Sequence, residues 1–107
     1  MAEIRFSPAA LEDLKEIKYY ITEELFSEQS AVRTLEKILK HIRQLESFPE
    51  LGAPLSSIVS MDVPYRFLVC GNYLAFYTKE NEEVLIIRVL DGRRDYLQIL
   101  FGPSSDT

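Results

Sequence analysis

The chain has 107 residues, with 12 Lys+Arg against 17 Asp+Glu and a formal net charge of −5. A hydrophobic content of 47% is enough for one core of domain size, which predicts a single globular domain over 1–107 and excludes a wholly disordered chain. A sequence pI near 4.9 excludes sequence-independent coating of nucleic acid, which depends on many Lys/Arg neutralising phosphates.

Ile4 and Phe6 alternate as a short N-terminal strand. Ser7-Pro8 then reads as an N-cap followed by proline at the first helical position, with Glu12 and Asp13 near the positive end of the helix dipole. Leu11, Leu14, Ile17, Ile21 and Leu25 recur every three or four residues, predicting an amphipathic helix to about Leu25. Ser27 caps a second helix, whose stripe of Val32, Leu35, Ile38, Ile42 and Leu45 continues until Phe48-Pro49. Two consecutive helices with so short a join predict an antiparallel hairpin.

Glu50 to Pro64 has no period and is rich in turn formers, predicting a loop that crosses to the next layer. The period then becomes two over Tyr65–Cys70, Tyr73–Lys79 and Val84–Leu90, with Gly71-Asn72 suited to a primed hairpin turn. These segments predict a three-stranded antiparallel meander with one face covered by the helices. Asp91-Gly92 ends the last strand, Arg93 to Phe101 predicts a short C-terminal helix, and Gly102 to Thr107 is a polar, flexible tail. The fold class is therefore α+β.

Cys70 is the only cysteine, which forbids an intrachain disulfide and fits a reducing cytosol. The N-terminus turns charged within three residues, and no apolar run approaches the ~18 needed to span a bilayer. A cytoplasmic protein without membrane attachment is expected.

His41, the only histidine, lies at the edge of the second helix's stripe with no evident partner, so a half-exposed helical histidine accounts for it better than catalysis. Cys70 likewise reads as a buried strand thiol rather than a nucleophile. No Cys/His spacing suits a metal, and the four glycines are too dispersed for a phosphate cradle, so neither metal nor cofactor is expected. The informative stretch is Arg88 to Tyr96, where Arg88, Arg93 and Arg94 cluster at a strand end. Guanidinium groups bind phosphates and carboxylates bidentately, so the corner suits RNA phosphates or an acidic partner. Local pairing with Asp91 and Asp95 is an equal alternative. Tyr65, Tyr73 and Tyr77 could stack bases or form cross-strand and core pairs.

Val69-Cys70-Gly71-Asn72-Tyr73-Leu74-Ala75-Phe76-Tyr77, followed by Ile87-Arg88-Val89-Leu90-Asp91-Gly92-Arg93-Arg94-Asp95-Tyr96, resembles the RelE/ParE superfamily of toxins from type II toxin-antitoxin systems. The family pattern reads "VGNYRVFY" and then "IIRVLHGRRDY", and the order of hairpin, loop and sheet agrees along nearly the whole chain. The resemblance implies a toxin that inhibits growth. RelE-like members cut messenger RNA inside the ribosome through attack of a ribose 2′-hydroxyl, whereas ParE-like members bind and poison DNA gyrase. For the nuclease branch the resemblance assigns Arg94, Arg93 and Tyr73. Leu74 replaces the family's arginine, Asp91 its histidine and Leu100 its late tyrosine, which leaves a corner that can bind but is short of acid-base groups. A ParE-like, gyrase-binding toxin is therefore favoured, with the mRNA interferase and an inactive homologue that only binds antitoxin as alternatives. The implied partner is a cognate antitoxin whose disordered tail folds over the toxin, with DNA contacted only through it. Arg66, Arg88, Arg93 and Arg94, with Tyr73, Tyr77 and Tyr96 beside them, are the expected contacts to target or antitoxin.

Overall fold

The computed structural model describes residues 1–102, so of the expected flexible tail all but Gly102 lies outside the described residues. Five strands form one sheet: β1 (Glu3–Phe6), β2 (Ala53–Pro54), β3 (Arg66–Cys70), β4 (Tyr73–Glu80) and β5 (Glu83–Asp91). Helices α1 (Pro8–Glu24) and α2 (Glu28–Arg43) form the hairpin, and α3 (Tyr96–Phe101) closes the described chain.

Both long helices begin where the capping chemistry places them. Ser7 Oγ accepts from Ala10 N at 3.0 Å and donates to the Ile87 carbonyl at 2.7 Å, so one hydroxyl caps α1 and ties it to β5. Ser27 Oγ accepts from Ser30 N at 3.1 Å. The buried line of α1 is Ala10, Asp13, Ile17 and Ile21, with Leu14 half-buried, while Leu11 and Leu25 are exposed. The expected stripe was thus displaced, because Ala10 and the paired Asp13 take the places nearest the sheet. On α2, Ala31, Ile38 and Ile42 are buried and Val32 is exposed. A 3₁₀ turn at Gln44–Glu46 follows and buries Leu45 before Pro49 is reached.

The sheet order is β1-β5-β4-β3-β2. The expected meander is its centre, β3-β4-β5, and two further strands extend it. β1 joins β5 in parallel and β2 joins β3 antiparallel, so the sheet is mixed rather than purely antiparallel. Between β3 and β4, Gly71 takes φ +65° at the first turn position, the place a type II′ turn reserves for glycine. Between β4 and β5 the turn carries Asn81 at φ +56°, a conformation asparagine tolerates.

Each face of the sheet has its own core. On one side Ile17, Ile21, Ile38 and Ile42 of the hairpin pack with Leu68, Cys70, Ala75, Tyr77, Val84, Ile86 and Val89. On the other, Phe76 and Leu90 are covered by Leu55, Val59, Val63 and Tyr65 from the crossing segment and by Tyr96, Ile99 and Leu100 from α3. The segment expected only to cross therefore roofs a second core. A bulge in β5 opposite Phe76 and Tyr77 lets Val84 and Ile86 before it and Val89 after it join the same core, resetting the period of two.

Candidate functional site at the end of β5

Strand β5 carries Arg88 and Asp91 to the edge of the hairpin, and the turn Gly92–Asp95 presents Arg93 and Arg94 beside α1 and Tyr73. The shortest ion pair there joins two elements distant in sequence. Asp13 on α1 is only 4% exposed. It accepts from Arg88 Nε and Nη2, both at 2.7 Å, and from Val89 N at 2.9 Å. A bidentate pair on so buried a carboxylate fixes α1 against β5. Its hydrogen bond raises the Arg88 pKa above the ordinary value, so the cation is permanent.

Arg93 is paired as well, but in water. Its Nε and Nη2 reach Asp91 at 3.1 and 2.8 Å, and its backbone N donates to the same carboxylate at 2.9 Å. Asp91 is thereby held below the ordinary carboxyl range, first by the guanidinium hydrogen bond. Asp95 accepts from Gln98 N at 3.3 Å and caps α3. Of the two acids expected near the arginines, one therefore pairs and the other caps. Arg94 is exposed and makes no ion pair among the described residues.

The remaining expected residues divide between surface and scaffold. Arg66 donates to the carbonyls of Gly52 at 3.1 and 2.7 Å and of Glu50 at 3.1 Å, stapling the crossing segment to β3. Tyr77 is fully buried, its hydroxyl accepting from Gly52 N and donating to the Pro49 carbonyl, both at 2.9 Å. The expectation that Tyr77 contacts a partner is therefore corrected: mid-strand, beneath the hairpin, its ring is core and its hydroxyl is spent. Tyr96 is half-buried against Phe76, with ring centroids 5.4 Å apart. Tyr73, at the start of β4, is half-exposed, and burial followed by the Asp91 charge raises its phenol pKa. Cys70 is a buried thiol pushed up to about 11 by desolvation.

Tyr20 and Tyr73 stand between two depressions of opposite character. The first, about 370 Å³, is lined by Asp13, Glu16, Ile17, Asp91 and Arg94 as well as these tyrosines. The second, about 440 Å³, runs between the hairpin and the β3–β4 turn and carries Lys37, His41, Asn72 and Arg93. His41 is half-exposed as expected, yet it lies in this groove. Its Nδ1 is 2.8 Å from the Lys37 carbonyl, which can only accept, so Nδ1 is the donor in that contact. Asp13, Glu16, Tyr20 and Lys37 were missed in the sequence. Only Asp13 left a signal, sitting at helical spacing with Ala10, Ile17 and Ile21.

A helical hairpin thus covers one face of a small mixed sheet, with cationic groups gathered where β5 leaves it. The sequence profile of the family described as "ParE toxin of type II toxin-antitoxin system, parDE" matches residues 4–96. The chain belongs to that family, within the RelE/ParE superfamily of toxins. A solved structure, "Chromosomal ParDE TA system from P. aeruginosa", contains a similar chain at 20% identity and TM-score 0.69, over 85% of this chain and 96% of that one. YafQ from E. coli aligns at 15% identity and TM-score 0.46 over 95% of this chain and 100% of its own. A YafQ mutant aligns at 16% and 0.47 with the same coverage. The search of curated proteins finds no match. Among the described residues no helix is long and apolar enough to cross a membrane.

Proposed function

We propose that this toxin arrests growth by binding and poisoning DNA gyrase in the cytoplasm, and that a cognate antitoxin neutralises it by folding over the hairpin and the β5 end. The observation that carries the reading is how the arginine charge is spent. Arg88 is consumed by Asp13, Arg66 by backbone carbonyls and Arg93 by Asp91. The cleft below Arg94 is walled by Asp13, Glu16 and Asp91. Asp13 and Asp91 are each neutralised by an arginine, which leaves Glu16 facing Arg94 with no net positive charge to hold a phosphodiester, a balance that suits a protein surface with basic and apolar groups. Leu74 and Leu100, standing where the nuclease branch keeps polar groups, pack instead in the second core. The ParDE relative is a toxin-antitoxin system by name, which supports the antitoxin partner here.

One observation favours the mRNA interferase as the second reading. His41, Lys37 and Tyr73 line the second groove together with the Asp91-paired Arg93, residue types able to take a proton from a ribose hydroxyl and, at Lys37, to hold a phosphate. The deciding experiment adds purified protein to cell-free translation of a premade message and maps 5′ ends, alongside a gyrase supercoiling assay. Intact message with blocked supercoiling is the expected result. Ribosome-dependent cuts that vanish in His41→Ala would overturn gyrase poisoning in favour of the nuclease. Inactivity in both assays, with antitoxin binding retained, would leave only the antitoxin-binding homologue.

A further inference from the structure

The hairpin between α1 and α2 turns at Phe26, which works against the fold in two ways. Its φ is +52°, in the left-handed region where a Cβ crowds the backbone, and its side chain is 90% exposed. Glycine or asparagine at this position just past the helix would make the same turn without either cost. Nothing inside the described chain offsets them, since Phe26 belongs to neither core. Tyr19, Tyr20, Leu25 and Val32 are exposed at the same end of the hairpin. From Tyr19 to Val32 the sequence carries Glu23, Glu24 and Glu28 and no Lys or Arg. Strain held at an exposed aromatic points outward, to a function met only in a complex. The carboxylates around it say which complex: they repel nucleic acid and match a basic protein rim.

We propose that Phe26 is the anchor by which the toxin docks on its target protein, entering an apolar pocket bordered by Lys or Arg side chains that meet Glu23, Glu24 and Glu28. This rests on the protein-binding reading of the toxin and names the surface that performs it. The tip, rather than the arginine corner, then supplies most of the contact with the target.

Phe26→Gly and Phe26→Asn test it, because both residues accept the left-handed conformation and neither disturbs a core. Each variant is compared with wild type for melting temperature, for growth arrest on expression, and for inhibition of supercoiling by purified gyrase holoenzyme. The expected result is a melting temperature at or above that of wild type, lost growth arrest, and a half-inhibitory concentration raised at least about 30-fold, the scale of one aromatic hot spot. Glu23→Lys combined with Glu24→Lys is expected to weaken inhibition most at low salt. Variants that arrest growth and block gyrase like wild type would overturn the anchor while gyrase poisoning stands. If wild type leaves gyrase untouched but both variants lose growth arrest, gyrase falls and the anchor stands on another protein. A wild type inert in both assays overturns the two together.

Discussion

Replacing Asp13 by Ala tests whether the buried pair with Arg88 holds the molecule together. The change removes three accepted hydrogen bonds and leaves the Val89 N–H and the Arg88 guanidinium without their partner. Breaking one side of a fully buried ion pair costs about 3–5 kcal/mol. The Arg88 side chain is 26% exposed, so water recovers part of its solvation and about 2–4 kcal/mol is the better expectation. For a domain of this size that is a fall in melting temperature of roughly 10–25 °C. Asp13→Leu with Arg88→Met removes both charges and restores packing, so the double variant should recover most of that loss. Thermal and urea unfolding of the two single variants and the double give the coupling energy, expected at about 2 kcal/mol. A single Asp13→Ala change costing less than about 0.5 kcal/mol, or strictly additive effects, would refute the assignment of this pair as a structural lock.

Three further outcomes are expected. At Gly52 an added Cβ would lie 2.6 Å from the Phe67 carbonyl and 2.8 Å from the Tyr77 ring and hydroxyl. Gly52→Ala should therefore destabilise by about 1–3 kcal/mol or more in urea unfolding, and Tyr77→Phe should relieve part of it. Asp91 has a lowered folded pKa, so its stabilisation is present above the ordinary value of 3.8 and is lost as pH falls through the folded value. Asp91→Asn should thus lie below wild type at neutral pH and converge with it in acid; a constant difference across the pH series would contradict the pairing. The Cys70 thiol, pushed up to about 11, should resist a disulfide reagent at pH 8 in the native protein and react at once in denaturant.

Local rules were legible in the sequence and long-range ones were not. Ser7, Ser27 and Gly71 act within a few residues, and each does what its type predicts. The parallel β1–β5 pairing and the Asp13–Arg88 bond join the two ends of the chain, and no local pattern encodes such a partner. Alternation names a face but not a depth. Tyr73 and Tyr77 point to the same side of β4, yet only Tyr73, at the strand end, reaches the surface grooves. The bulge in β5 further breaks the period where Arg88 sits, so its inward reach was hidden. Phe26 left no signal at all, because an exposed phenylalanine at a helix end has no sequence signature separating it from one that packs.

The arginines of the corner consequently need different tests from those their sequence clustering suggests. Arg66 staples the crossing segment to β3, at the far end of the strand pair from Tyr73, and Arg88 locks α1 to β5 through Asp13, which lines the cleft beside Tyr73 and Arg94. Removing the Arg88 charge shifts that wall, so loss of toxicity in Arg88→Ala is expected to report misplacement of the site rather than lost contact, and loss in Arg66→Ala a loosened crossing segment. Restoring packing while leaving the charge absent separates the two cases. If the Asp13→Leu, Arg88→Met pair arrests growth like wild type, the guanidinium at Arg88 never met the target. Arg94, unpaired among the described residues, has no internal partner to compensate, and Arg94→Glu should weaken partner binding at unchanged stability. Contact energy at the corner then belongs to Arg94 and the exposed Arg93, while the two inner arginines belong to the fold.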